Sequence, residues 1–322
     1  MNKNSMAEKD NKDYASEIKR LKSDKNAIIL AHYYQTSDIQ DIADFVGDSL
    51  ALSQKASSNN ADIILFAGVR FMAETAKILS PEKKVLIPDM NAGCSLADSC
   101  SYEDFRKFIE ENPGRTVITY VNTNIDIKTL SDIICTSSNA IQIIESLPPE
   151  EKILFGPDRN LGNYILNRTG RDIVIWNGAC HVHEEFSLEG ILKIREENPG
   201  VKVIVHPECE LPVRMIADFI GSTASMLQFT KKDDAGKYIV ATEPGIIHQM
   251  KKANPLKVFI PAPPKDSTCG CNECSFMKLI TLKKIYKCLM DEKPEITIDQ
   301  DILMKARKPV IRMMEISEKL GI

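Results

Sequence analysis

No apolar run in this chain approaches the roughly 20 residues that a helix needs to cross a bilayer, so a membrane role is not expected. The opening stretch, MNKNSMAEKDNKDYASE, is polar and mixed in charge. Lacking an apolar h-region, it reads as neither signal peptide nor anchor, and residues 1–13 are expected to form a flexible leader. A basic stripe is missing too: 41 Lys and Arg face 45 Asp and Glu, a net charge of −4. Nucleic acid is therefore not an expected partner. No C-x₂-C pair has a second C-x₂-C to complete it, which disfavours a closed ribbon-type zinc site. Histidine is scarce, with five in 322 residues, and its placement is correspondingly informative.

What is present is an ordinary globular composition, 43% hydrophobic and 27% charged. The length suffices for two or three small domains with cores of their own. Nine cysteines, an odd count, argue against a disulfide framework and for reduced thiols in a cytoplasmic protein. Each is then either a small buried apolar residue or a metal ligand.

Three segments repeat one another in step. His32-Tyr33-Tyr34, Tyr120-Val121-Asn122 and His206-Pro207-Glu208 each close an apolar, strand-like run. Seventeen residues later come Ser49, Ser137 and Thr223, and 19 further on Gly68, Gly156 and Thr242. The copies are offset by 88 and then 86 residues at the first two landmarks. Each copy then reaches a cysteine: Cys94 in AGCSLA, Cys180 in NGACHVH, and the trio Cys269, Cys271 and Cys274. Such a period predicts three α/β domains with small parallel sheets, related by a pseudo-threefold axis around one shared central site.

The elements read as follows. NAIILAHYY, DIILFAG and KVLIP are strands in the first copy, TVITYVN, DIICTS, KILFGPD and DIVIWNG in the second, and VKVIVHPE, DFIGS, KYIVATE and LKVFIPA in the third. Their nearly continuous β-branched character suits parallel strands covered on both faces. Glu111–Gly114 and Glu197–Gly200 are both ENPG, a helix stop ahead of the first strand of copies two and three. Boundaries follow at 14–99, 100–185 and 186–275, with two helices in 276–322 packing across the repeats. Ligands of open α/β sheets sit beyond the carboxyl ends of the strands, where His32 with Tyr34, Tyr120 with Asn122, and His206 with Glu208 would project in pairs. Ser49, Ser137 and Thr223 stand where a hydroxyl N-cap would present helix N–H groups to anions.

Cys94, Cys180 and one member of the third group supply three thiolates from three domains. Closed sites commonly use four, so three leave a metal position open to act as a Lewis acid. Cys100, Cys135, Cys209 and Cys288 read as inert buried thiols. The stretch CGCNEC allows a small zinc site, a redox pair, or one ligand with two bystanders. His181 and His183 could form a metal site of their own, but their place beside Cys180 favours substrate binding or proton transfer by one of them. Four of the five histidines (His32, His181, His183 and His206) fall within these motifs.

Those motifs resemble the quinolinate synthase family, iron–sulfur enzymes of de novo NAD biosynthesis. The matching segments are AHYYQ at 31–35, GDSL at 47–50, AGCSLA at 92–97, YVNT at 120–123 and CTSSNA at 135–140. They continue with GPDRNLG at 156–162, W-x-G-x-C-x-x-H at 176–183, HPEC at 206–209, GSTASM at 221–226 and TEPGIIHQM at 242–250. The resemblance runs from about residue 26 to 290. It departs from the family pattern at Ser275, often proline, and at Asn177 within the family's WPG. It implies a [4Fe-4S] cluster held by Cys94, Cys180 and Cys274, and condensation of iminoaspartate with dihydroxyacetone phosphate to quinolinate, with loss of phosphate and water. It also implies substrate contacts from His32, Ser49, Tyr120, Val121, Asn122, Ser137, His183, His206, Pro207, Glu208 and Thr223. Proton transfers would fall to Tyr34, Tyr120, His206 and Glu208. A transient contact with the enzyme that makes iminoaspartate fits the same picture.

Three rival readings differ in what they require. Another [4Fe-4S]-dependent hydro-lyase of a small hydroxy acid would need no phosphate subsite. An iron–sulfur sensor or electron carrier would close its cluster with four protein ligands. A zinc-stabilised binding module would hold metal at 269–274 alone and be indifferent to Cys94 and Cys180.

Overall fold

Among the described residues, runs of Ile, Val and Leu bounded by polar turns form twelve short strands, all parallel within their sheets as their two-sided apolar character demands. The computed structural model describes residues 3–266, 268 and 272–322; Cys269 and Cys271 lie outside the described residues. The strands are β1 (Ala27–His32), β2 (Phe45–Gly47), β3 (Ile63–Ala67), β4 (Lys84–Leu86), β5 (Thr116–Tyr120) and β6 (Ile133–Cys135). They continue with β7 (Ile153–Gly156), β8 (Ile173–Ile175), β9 (Lys202–Val205), β10 (Phe219–Ile220), β11 (Lys237–Ala241) and β12 (Val258–Pro261). They build three four-stranded sheets, ordered β2-β1-β3-β4, β6-β5-β7-β8 and β10-β9-β11-β12. The same order three times over is the structural form of the sequence repeat.

In each sheet the chain pairs one neighbour to the first strand and then crosses to its other side. The switch point lies between first and third strands, where doubly wound sheets bind ligands. The repeated landmarks fall there: His32, Tyr120 and His206 at or just past the first strand, and Gly68, Gly156 and Thr242 at the end of the third. These central strands are the most deeply buried, with Ile64, Leu65, Ile118, Leu154, Phe155, Val203, Ile204, Ile239 and Val240 fully enclosed. Each such Leu, Ile or Phe contributes about 1.5–3 kcal/mol by leaving water.

Strand β2 was not among the expected strands, because Phe45-Val46-Gly47 is too short to stand out. An aspartate fixes it. The Asp44 carboxylate accepts from the Ile29 N–H at 2.7 Å, and the Asp44 N–H donates to the Ile29 carbonyl at 3.0 Å. Asp132 does the same with Val117 and Asp218 with Val203. These aspartates share the repeat's offsets of 88 and 86 residues.

Helix ends follow local chemistry. Ser101 and Ser187 cap helices Tyr102–Glu111 and Leu188–Glu197, accepting from the N–H of Asp104 and Gly190. Both helices stop at Asn-Pro-Gly, where Gly114 and Gly200 take φ of 73° and 80°, a left-handed turn that a side chain would strain. The expected helix stops are thus observed.

The chain divides into two compact units, one of residues 1–94 with 275–303 and the other of residues 95–274 with 304–322. The first holds β1–β4. Into it returns the segment after Cys274: Lys278 Nζ donates to the Tyr34 carbonyl at 2.7 Å, and Lys284 pairs with Asp89 at 2.5 Å. Helix Leu282–Asp291 belongs to this unit. The second unit holds the other two sheets, and helix Gln300–Leu320 ends in it, with Ser317 Oγ accepting from Asn139 Nδ2 at 3.0 Å. No helix among the described residues is long and apolar enough to cross a membrane.

Candidate active site

In the second unit the ends of β5 and β9 bring together residues that lie far apart in sequence. Glu208, 2% exposed, is the hub. Its Oε1 accepts from the Tyr120 hydroxyl at 2.5 Å, and its Oε2 lies 3.0 Å from His183 Nδ1. His206 Nδ1 is 3.7 Å from Oε1, and the His183 and His206 rings stack with centroids 4.5 Å apart. His183 Nε2 lies 3.0 Å from Thr242 Oγ1, and His206 Nε2 3.3 Å from Ser137 Oγ.

A buried carboxylate needs compensation on this scale, because desolvation alone favours its neutral form. Burial would raise the Glu208 pKa, but the charges of His183 and His206 and the hydrogen bonds from His183 and Tyr120 outweigh it, holding the carboxyl at about 2. Asp158 shifts the other way. Burial first, and then the Glu208 charge, raise it well above the usual carboxylate range, against N–H groups of Leu161, Cys180 and Asn160 that pull it down. Asp158 caps helix Arg159–Thr169 through the Leu161 N–H at 2.7 Å, and its other oxygen accepts from the Cys180 N–H at 3.2 Å. It thereby ties the cysteine's backbone to the helix start. Asp158 stands in GPDRNLG, two residues past the landmark Gly156, and that position is the signal the sequence offers for it. Thr242 was itself a landmark, and only the fold shows what it touches.

The histidines that open the polar pairs share a backbone device. Tyr34 N–H points to His32 Nδ1 at 3.2 Å, and Glu208 N–H to His206 Nδ1 at 3.4 Å. In the first unit His32 and Tyr34 rings meet edge-on with centroids 4.4 Å apart. Tyr33 is partly buried, and that burial with the Asp48 charge pushes its hydroxyl up to about 12. Of the pairs, Asn122 keeps a side-chain oxygen shielded from solvent with no hydrogen-bond partner, an acceptor left for a bound molecule.

The capping expectation is corrected. Asp48, not Ser49, caps helix Ser49–Ser57, accepting from the Ala51 N–H at 3.0 Å. Ser222, not Thr223, caps helix Thr223–Lys232, and helix Ala140–Glu145 begins after Asn139, past Ser137. The predicted hydroxyls at 49 and 223 are the first helical residues, one position inside their caps. An aspartate cap also places negative charge at the first helix end, so that end does not offer the anion-binding field expected of it.

Burial separates the seven described cysteines as the sequence did. Cys94, Cys180 and Cys274 are partly exposed, whereas Cys100, Cys135, Cys209 and Cys288 are buried. Burial pushes the Cys100 and Cys288 thiols up to about 12, and raises Cys135 and Cys209 as well. These four stay protonated near neutral pH and are poor ligands. Cys94 belongs to the first unit, and Cys180 and Cys274 to the second. Ligand atoms of Cys180, His183 and Glu208 lie within 4.8 Å of one another. A single metal ion bound by all three would have to displace the His183 contacts with Glu208 and Thr242, so Cys180 is the better donor of the group. Beside it, His181 Nδ1 lies 2.6 Å from Ser95 Oγ.

Comparison with known proteins places the chain in a family. A family model described as "Quinolinate synthetase A protein" matches residues 16–315. The chain is 55% identical over 305 residues to the quinolinate synthase of Thermosynechococcus vestitus, covering 95% of this chain and 96% of that protein. It is 56% identical over 305 residues to that of Microcystis aeruginosa, covering 95% of each. With that of Chloroherpeton thalassium it shares 52% over 306 residues, again 95% of each.

Proposed function

The chain belongs to the quinolinate synthase family of NAD-biosynthetic enzymes, and from that premise we propose that it condenses iminoaspartate with dihydroxyacetone phosphate to quinolinate, releasing phosphate and water. The observation that carries this reading is the placement of a partly exposed thiol, Cys180, against the buried Tyr120–Glu208–His183–His206 group. Metal ligation and proton transfer then share one locality, as a dehydrating condensation needs.

We assign a [4Fe-4S] cluster to Cys94, Cys180 and Cys274. The donor set suits it: soft sulfur ligands select iron–sulfur centres, and only these described cysteines escape the burial that keeps a thiol protonated. A cluster held by these three cysteines would supply Lewis-acid chemistry. The reduced thiols it needs suit the cytoplasm.

The chain's own residues divide the remaining work. A carboxyl near pH 2 is a weak base, far from the neutral value that serves proton transfer best. Glu208 therefore acts as a fixed anion. It orients the Tyr120 hydroxyl and faces His183 Nδ1 at 3.0 Å, and the proton transfers fall to Tyr120, His206 and Tyr34. Asn122 Oδ1, without a protein partner, accepts from a substrate donor. Ser137, held by His206 Nε2, and Thr223, Ser49 and His32 offer donors to substrate oxygens.

The test is an anaerobic preparation assayed for iron, sulfide and quinolinate together. Wild-type protein should hold about four irons and four sulfides and make quinolinate. Cys94→Ala, Cys180→Ala and Cys274→Ala should each lose the cluster, while Cys288→Ala and a Cys269→Ala/Cys271→Ala double variant keep it. One stoichiometric zinc and no quinolinate would overturn the proposal.

A further inference from the structure

The turn that follows Tyr120 is held by a buried lysine. Lys128, in the short helix Ile125–Thr129, is 0% exposed. Its Nζ donates to the Val121 carbonyl at 3.0 Å, to the Thr123 carbonyl, and to Thr123 Oγ1 at 3.3 Å. Burying an ammonium costs several kcal/mol unless close oxygens replace its water. Here the replacements include two main-chain carbonyls that flank Asn122 directly.

The turn they belong to is tightly wound. Thr123 N–H donates to the Val121 carbonyl at 2.8 Å, Thr123 Oγ1 to the Tyr120 carbonyl at 3.3 Å, and Val121 N–H to the Cys135 carbonyl at 2.8 Å. Two carbonyl dipoles pointing at one place repel each other, and a cation between them removes that cost. The Val121 carbonyl and the Thr123 N–H that donates to it belong to the peptide planes on either side of Asn122, and the ammonium ties them to the next plane through the Thr123 carbonyl. The same contacts fix the exit of β5 that aims Tyr120 at Glu208.

We propose that Lys128 is a positioning residue for the reaction, its ammonium serving as a built-in monovalent cation that pins the turn carrying Tyr120 and Asn122. Lys128 acts through that turn, and the inference rests on the functional reading above for its kinetic consequences only. Misplacement of a reacting group by about 1 Å can cost on the order of 10²-fold in rate, which sets the expected size.

The experiment compares Lys128→Met, close in size but without the charge, with the wild type as cluster-loaded full-length protein. Turnover should fall about 10²-fold, with KM changed far less and iron content retained. Amide hydrogen exchange should accelerate in peptides covering 118–124 and stay unchanged over β9 and β11. Because Lys128 works through Tyr120, the Lys128→Met/Tyr120→Phe double variant should be no slower than the slower single variant. Should Lys128→Met fail to fold, Thr123→Val removes one acceptor of the same ammonium and should show a smaller loss with the same non-additivity. Unchanged exchange at 118–124, or rate losses that multiply in the double variant, would overturn the proposal. A wild-type protein that makes no quinolinate would sink the functional reading instead, and the exchange result would still decide whether the turn is pinned.

Discussion

Replacing Glu208 by glutamine tests the electrostatics of the site with little change of shape. The folded-state pKa of about 2 lies below the ordinary value near 4.5, a depression worth on the order of 3 kcal/mol of stability at neutral pH. The sign follows from the direction. A depressed carboxyl contributes fully above its unfolded pKa, and the contribution is lost as pH falls from about 4.5 toward 2. Asp158 opposes it: held above the usual range partly by the Glu208 charge, it relaxes toward normal in Glu208→Gln and returns some of the loss. The net destabilisation expected at pH 7 is therefore about 1–3 kcal/mol, shrinking toward zero near pH 2–3. Trp176, the single tryptophan, packs against Phe105 and Phe108 in the same unit and reports its unfolding by fluorescence. Urea titrations of cluster-free wild type and variant at pH 7, 5, 4 and 3 give the difference directly. A stability difference that stays constant across that range, or a variant as stable as wild type at pH 7, would refute the reasoning. Because the amide can still accept from Tyr120, the loaded variant should fold and keep its iron, while turnover drops by up to about 10²-fold, the scale for a reacting group whose positioning anion is lost.

Two further outcomes follow from the packing. A Cβ on Gly162 would sit 2.7 Å from Ile175 Cγ2 and 3.0 Å from Phe155 Cδ1, so Gly162→Ala should cost about 1–3 kcal/mol despite the better helix propensity of alanine; a raised melting temperature would contradict it. Asp132→Ala removes an exposed carboxylate that accepts from the Val117 N–H, and should lower stability by about 1 kcal/mol while leaving the kinetics of the folded protein unchanged.

The sequence by itself determined the threefold α/β plan, because strand spacing, Asn-Pro-Gly helix stops and apolar runs are local properties that repeat with the chain. It also sorted the described cysteines, since recurrence at one place in each copy is visible without coordinates. Strand β2 escaped because three residues carry too little pattern; its anchor, Asp44, bonds to a strand 15 positions earlier. The helix caps were misplaced by one residue because Asp48 and Ser222 stand next to hydroxyls that could equally have served, and backbone conformation alone chooses between them. The character of Glu208 was a tertiary matter throughout. A carboxylate's pKa depends on which charges and donors stand within a few ångströms, and those around Glu208 come from positions 120, 183 and 206. Residue type named a titratable group at the strand end; folding those segments around it, away from water, decided that it stays an anion.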